Sequence, residues 1–296
     1  MFKFEENSVR KPKVGESLWG DNYDFKKKSK KASKFSTLFY QNGYVVLSNA
    51  IDLSECDKAI NDIEKKCNSA ERGNKRISRV VNLHKEIDSL KDLITKKSVI
   101  SILDELFGFK TSVYTSLTFK YGTEQPIHID SPVFHTSPEG FYFGVWFALE
   151  DSNETNGCLK TIEKSHLLKR PNPTKFAKEK GVTEIDFNGS GLWTPYQDLV
   201  RNQSIENGFE EKLVPVKKGD VLIWHPNLPH GGSKILNTDK TRFSIVYHVV
   251  PEGVPVYQAD RYFDDQKECP TLSQKNYYHY NNTVFMDTQP YVIKVE

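Results

Sequence analysis

The segment Gln125-Pro126-Ile127-His128-Ile129-Asp130 sets an imidazole and a carboxylate two residues apart. Along a strand that spacing puts both side chains on one face, where they can reach a single ion. Two histidines and one carboxylate make a facial triad that leaves three metal positions open, and the third ligand must come from elsewhere in the fold. His230, in GDVLIWHPNLPHGG, is the candidate. Arg242 follows twelve positions later, with Ser244 on the same face of the next strand by alternation. A guanidinium pairs bidentately with a carboxylate and a serine adds a hydroxyl, so Arg-x-Ser can hold the far end of a chelating dicarboxylate. With eight histidines in the chain, H-x-D by itself arises by chance in roughly one chain of two. Its bland alternative is a turn histidine bonded to Asp130. His225 is a rival ligand only five positions before His230, while His135 and His248 read as pocket or core histidines.

The elements that must position these residues are legible in outline. Asn42-Gly43 is a turn signal before the β-favouring run Tyr44-Val45-Val46-Leu47. Asp52 or Ser54 can cap a helix in which Cys56, Ile60, Ile63 and Cys67 recur at spacings of three and four. A second helix is predicted from about Ser89 to Phe107, with Leu90, Leu93, Ile94, Ile102, Leu103 and Leu106 facing the core and Gly108 as its stop. Beyond Gly108 come short segments rich in β-branched and aromatic residues, separated by turns: TSVYTSLTFKYG, YFGVWFALED, GCLKTIEKS, KLVPVKKGDVLIWH and RFSIVYHVVP. These predict a sandwich or barrel core over about 110–255, interrupted by a long polar insertion over about 167–212. The last forty residues are aromatic-rich without a clear period and are expected to pack across that core. Residues 1–34, with KKKSKKASK near their end, read as a solvated lysine-rich arm, and 35–296 as one domain.

The 296 residues contain 37% apolar and 12% aromatic side chains, enough to fill a core and exclude wholesale disorder. Forty-one basic against 39 acidic residues give a net charge of +2, with no sign of the basic surface that nucleic acid demands. An apolar run long enough for a transmembrane helix is missing, and MFKFEENSVRKPK is no secretory signal. The four dispersed cysteines, Cys56, Cys67, Cys158 and Cys269, read as free thiols in a reducing cytoplasm.

From Phe39 to Pro251 the sequence resembles the phytanoyl-CoA dioxygenase family of non-haem iron(II), 2-oxoglutarate-dependent oxygenases. The resemblance runs in order through FYQNGYVVLSNAID, QPIHID, VWFALEDSNETNGCLKTIEKSH, GDVLIWHPNLPHGGS and N-x-x-x-x-R-F-S. It implies a double-stranded β-helix (jelly-roll, cupin-like) core with flanking N-terminal helices. It implies Fe(II), 2-oxoglutarate and O2 as the working set, with His128, Asp130 and His230 as iron ligands. It places Arg242 on the distal carboxylate of 2-oxoglutarate, with Ser244 as helper and Gln125 as a further cosubstrate contact. Because Asp130 is present, the chain does not look like the halogenase variant. The family's small-residue turn reads Lys164-Ser165-His166 here, without its glycine, and Leu159 occupies a region where relatives often carry threonine.

The implied reaction is hydroxylation of a small polar metabolite or biosynthetic intermediate, with succinate and CO2 as co-products. Substrate contacts are expected from the insertion, with Lys169, Arg170, Trp193 and Tyr196 as candidates, although an exposed lid helix anchored by its aromatics is the plainer reading of that segment. Two other readings stand: a degenerate jelly-roll that binds a ligand without turnover, and a zinc hydrolase using the same triad, which gives Arg242 no role.

Overall fold

The computed structural model describes residues 33–67, 77–137, 139–267, 276–287 and 292–295. Most of the lysine-rich arm (1–32) and Cys269 lie outside them. The arm stops short of position 34: the Ser33 hydroxyl accepts from Ser36 N–H and caps helix α1 (Lys34–Asn42). Gly43 closes α1 at φ 82°, its N–H donating to Phe39 C=O. A Cβ here would sit 2.6 Å from His166 Nδ1 and 2.9 Å from Leu228 Cδ1, so glycine is required both by conformation and by space.

Strand β1 (Tyr44–Leu47) leads to α2 (Leu53–Cys67). Asp52 C=O accepts from the N–H of Glu55 and of Cys56, while Glu55 Oε2 reaches back to Asp52 N–H. Cys56, Ala59, Ile63 and Cys67 form the buried stripe, and Ile60 is only half-buried. After β2 (Ile77–Val81), the helix expected over 89–107 is two helices, α3 (Asp88–Thr95) and α4 (Lys97–Phe107), parted at Lys96 with φ −58° and ψ 132°. The Thr95 hydroxyl donates back to Lys91 C=O at 3.0 Å, a local bond that competes with helix continuation. Lys96 Nζ ion-pairs with Glu55, which draws the break towards the start of α2.

The remaining elements are β3 (Thr111–Phe119), β4 (His135–Thr136), β5 (Phe143–Ala148), β6 (Leu159–Ile162), α5 (Pro173–Glu179), α6 (Trp193–Glu206), β7 (Glu211–Val214), β8 (Val221–Trp224), β9 (His230–Gly232), β10 (Ser244–Pro251), β11 (Val256–Tyr257), α7 (Ala259–Phe263), β12 (Tyr277–Tyr280), β13 (Thr283–Met286) and β14 (Val292–Val295). The large sheet runs β1-β8-β5-β10-β3-β13-β12, with β2 also on β3 and β14 on β2. A three-stranded sheet, β7-β6-β9, lies against it, and β4 pairs with β11. The sheet therefore reaches past the expected 110–255 core at both ends: β1 and β2 precede it, and the last forty residues contribute β12, β13 and β14 as strands.

Both faces of the large sheet are covered, so β10 is buried along its whole length, apolar except for Ser244 and His248. Ile245, Tyr247 and Val249 pack with Leu90, Leu103 and Phe107 of the helices. Val246 on the other face joins Trp146, Trp224 and Leu159 between the two sheets. Phe107 stacks on Phe143 with ring centroids 4.0 Å apart, and each such buried phenylalanine contributes about 1.5–3 kcal/mol. The insertion is helical: α5 and α6 pack with α7 through Phe176, Tyr196, Val200, Tyr262 and Phe263, and onto Ile129.

Candidate metal centre

The two histidines meet through the backbone. His128 N–H donates to His230 C=O at 2.8 Å and His230 N–H to His128 C=O at 2.9 Å, an antiparallel bridge that sets the rings 4.5 Å apart. Asp130, two residues on, shares the face of His128. One ligand atom from each of His128, Asp130 and His230 lies within 4.8 Å of the others, and all three residues are buried. His128 Nε2 is 3.7 Å from Asp130 Oδ1, and His230 Nε2 is 3.7 Å from Asp130 Oδ2.

The rings are held in the tautomer that a metal needs. A carbonyl only accepts, so Nδ1 of His128, 2.8 Å from Pro126 C=O, carries the proton, as does Nδ1 of His230, 2.9 Å from Leu228 C=O. Both Nε2 lone pairs are then turned towards Asp130. Burial, followed by the neighbouring His230, pushes His128 down to about 4, so it is neutral at pH 7. Burial alone would raise Asp130, but His230, His128 and His248 together with the Trp224 N–H outweigh it and hold the carboxyl below its ordinary range.

Two donors orient that carboxylate. Trp224 Nε1–H donates to Oδ2 at 2.8 Å and Tyr142 O–H at 3.1 Å. Tyr142 has one hydroxyl proton, so its bond with His248 Nδ1 runs from ring to phenol oxygen, and His248 Nε2 is left buried without a partner on the cavity wall. From behind, the Gln197 amide on α6 accepts from Ile129 N–H at 2.8 Å and donates to Ile129 C=O at 3.0 Å, replacing a missing strand partner. Sequence reasoning missed Tyr142, Trp224 and Gln197 because none of them neighbours a ligand in the chain. The one available signal is alternation, which puts Leu222 and Trp224 on the inner face of β8.

Trp224 has its own support. Its cross-strand partner is Gly144, where a Cβ would lie 2.2 Å from Trp224 Cε2 and 2.6 Å from Nε1. Gly144→Ala should therefore displace the indole, with overpacking costing about 1–3 kcal/mol. Loosening a carboxylate's supporting donor should also weaken Mn(II) binding about 10- to 100-fold with no ligand touched. Thermal denaturation and calorimetric titration check the two effects; a lowered Tm with unchanged Mn(II) affinity would show that the indole does not orient Asp130.

A cavity of about 460 Å³ opens beside the three ligands, between the two sheets. Arg242 lines it, 5% exposed, with Nη1 donating to Gly157 C=O and the guanidinium carbon 5.6 Å from the centre of the Trp146 ring. Its Nε has no partner, and it pairs with no carboxylate among the described residues. Burial pushes Arg242 down to about 10, which leaves it charged at pH 7. Ser244 is fully buried with an unpartnered hydroxyl, on the β10 face that carries Val246 and His248 into the cavity. Gln125 Nε2 sits 3.2 Å from His128 Nε2, directly on a ligand atom. Leu159 lines the cavity, and Lys164 adopts the left-handed φ of 69° at the family's glycine position.

Of the four candidate substrate residues only Trp193 lines the cavity, its ring 6.0 Å from that of His128. Tyr196 is fully buried, donating to Pro171 C=O and accepting from Tyr262 O–H, because α6 needs an anchor on α7. Lys169 points to solvent, and Arg170 donates to Ser165 and Asn227 carbonyls, fastening the loop that carries His230. His225 is no rival ligand: its Nδ1 accepts from Asn227 N–H and its ring packs 5.4 Å from His166, outside the triad. His166 donates to Tyr40 C=O and is structural.

This architecture is the double-stranded β-helix, and the same fold occurs in solved structures of metal-dependent enzymes. The α-ketoglutarate-dependent carbocyclase SnoK from nogalamycin biosynthesis has a TM-score of 0.65 and 15% identity over 87% of this chain and 98% of its own. The epimerase SnoN, solved with Fe3+, α-ketoglutarate and nogalamycin RO, has a TM-score of 0.61 and 18% identity over 86% and 97%. The profile of the phytanoyl-CoA dioxygenase (PhyH) family matches residues 39–244, and the chain belongs to that family. A Danio rerio phytanoyl-CoA dioxygenase domain-containing protein 1 is 28% identical over 152 residues, 50% of this chain and 47% of its own. The Homo sapiens peroxisomal phytanoyl-CoA dioxygenase is 25% identical over 224 residues, 66% and 62%. The chain thus covers less than two thirds of either curated relative. No described helix is long and apolar enough to cross a membrane.

Proposed function

We propose that this chain is an Fe(II)- and 2-oxoglutarate-dependent dioxygenase that hydroxylates a small polar metabolite or biosynthetic intermediate. The observation that carries the reading is the pairing, in one cavity, of a tautomer-locked His128–Asp130–His230 cluster with the Arg242 guanidinium, which meets no carboxylate among the described residues. A zinc hydrolase needs the first and has no use for the second. Fe(II) with 2-oxoglutarate and O2 supplies the oxidising power for C–H hydroxylation, leaving succinate and CO2.

The chain's own residues do the rest. His128 and His230 offer imidazole nitrogens and Asp130 a carboxylate oxygen, and Trp224 and Tyr142 keep the carboxylate aimed. Arg242 binds the distal carboxylate of the cosubstrate and Ser244 adds a hydroxyl donor. Gln125, whose amide lies against His128 Nε2, would have to give up that contact to a bound metal and would then stand beside the cosubstrate. Trp193 covers the mouth beside His128 and excludes water. On this reading residues 35–296 are one oxygenase domain, with 167–212 as a helical cover fixed by Tyr196 and Gln197. Cys56, Cys67 and Cys158 are buried as thiols, in no disulfide among the described residues, in keeping with a reducing compartment such as the cytoplasm.

The test is to load the full chain anaerobically with Fe(II), 2-oxoglutarate and ascorbate, admit air, and measure succinate. Succinate that depends on both Fe(II) and 2-oxoglutarate is expected. Binding of both without any succinate across a broad substrate screen would make the protein a ligand-binding relative instead.

A further inference from the structure

The cavity wall holds one buried nitrogen that neither the metal ligands nor the cosubstrate contacts employ. His248 lines the cavity at 3% exposure, and its Nε2 has no hydrogen-bond partner. Nδ1 is committed: it donates to the Tyr142 oxygen, whose own proton goes to Asp130 Oδ2. Burial pushes His248 down to about 4, so the ring is neutral at pH 7 and Nε2 carries a bare lone pair. A buried acceptor that meets no donor is a cost to the free protein. Phe134, also on the cavity wall, stacks on the imidazole with ring centroids 4.2 Å apart and fixes its plane. Ser244 and His248 share one face of β10, four residues and about 13 Å apart. The cosubstrate end of the cavity, marked by Arg242 and Ser244, is thus remote from His248. The metal ligands are close to it, one hydroxyl away through Tyr142.

We propose that His248 Nε2 is a specificity-determining acceptor that takes a hydrogen bond from an O–H or N–H group of the prime substrate, beside the metal centre. The proposal deepens the oxygenase reading by naming the group that the substrate must present, and it rests on this cavity being the substrate site. A site built around an unmet acceptor binds a ligand that brings a donor. It rejects one of the same shape that brings only an acceptor, because two lone pairs then face each other without a proton. Phe134, Val133 and Trp193 on the cavity wall leave the rest of that ligand apolar surroundings.

The experiment uses the full chain, 15N-labelled at histidine and loaded with diamagnetic Zn(II) and 2-oxoglutarate, so that the three ligands and Arg242 are occupied. Cyclohexanol, 2-piperidone and cyclohexanone are titrated in, followed by calorimetry and by long-range proton–nitrogen NMR spectra. At least one of the two donors, the alcohol or the lactam, should bind about tenfold or more tightly than the ketone. The same donor should shift the unprotonated ring nitrogen of His248. The larger gain tells O–H from N–H, and either one supports the assignment. His248→Asn keeps a donor for Tyr142 at the Nδ1 position and has nothing at Nε2, so the preference should vanish. His248→Gln, whose carbonyl oxygen can take the Nε2 place, should restore part of it. Equal binding of the three probes, a His248 resonance that neither donor moves, or a preference that persists in His248→Asn would overturn the proposal. Succinate formation by the wild-type protein tests the oxygenase reading separately, so the two failures are distinguishable.

Discussion

Asp130→Asn lowers Fe(II) or Mn(II) affinity by at least about 100-fold while leaving the fold intact. Trp224 Nε1–H and Tyr142 O–H both donate to Oδ2, so an asparagine must place its carbonyl oxygen there. Its NH2 group then takes the Oδ1 position, 3.7 Å from His128 Nε2, where it faces the lone pair reserved for the metal. One substitution therefore removes a charged ligand and blocks a second. Asp130→Ala removes the ligand too, but it strands two buried donors at about 1–3 kcal/mol each, so its melting temperature also falls. Calorimetric titration with Mn(II), beside thermal denaturation, separates the two variants. Wild-type metal affinity in Asp130→Asn would mean that Asp130 is structural and the metal lies elsewhere.

Arg242→Ala has the opposite signature: Mn(II) affinity is kept and 2-oxoglutarate affinity of the Mn(II)-loaded protein collapses. Removing one partner of a buried, hydrogen-bonded charge pair costs about 2–5 kcal/mol, roughly 30- to several-thousand-fold in affinity. Arg242→Lys keeps the charge but loses the planar fork, so it falls between wild type and alanine. A buried cation with no carboxylate partner is a burden on the free protein. Its removal should thus cost little stability, the lost bond to Gly157 and the stacking on Trp146 being offset by relief of desolvation. Unchanged 2-oxoglutarate affinity, or a melting temperature lowered as much as the affinity, would assign Arg242 to the fold.

The convergence of His128, Asp130 and His230, the candidate metal cluster, was legible because much of its information is local. Period-two spacing gives His128 and Asp130 a common face, and the turn at Gly219-Asp220 before β8 delivers the chain to His230. The central strands were legible because their apolar runs are buried on both faces. Contacts distant in sequence were not. Lys96 breaks a helical pattern with neither proline nor glycine, through Thr95 and an ion pair to Glu55. Strands β12 and β14 sit at sheet margins, where half-exposed residues such as those of Tyr277–Tyr280 show no apolar face. Tyr196 looked like a substrate contact because aromatics and bases crowd its neighbourhood, but its hydroxyl is used up by Pro171 and Tyr262. Gln197, which braces the irregular segment bearing His128 and Asp130 through the Ile129 backbone, carries no local signal at all.

Iron K-edge X-ray absorption on the full chain, loaded with one equivalent of Fe(II) under anaerobic conditions, reads the first coordination sphere directly. Two imidazole nitrogens and a carboxylate oxygen are expected, with one imidazole lost in His230→Ala. An iron with oxygen ligands alone, or a spectrum that His230→Ala does not alter, would contradict the convergence of His128, Asp130 and His230 on one ion.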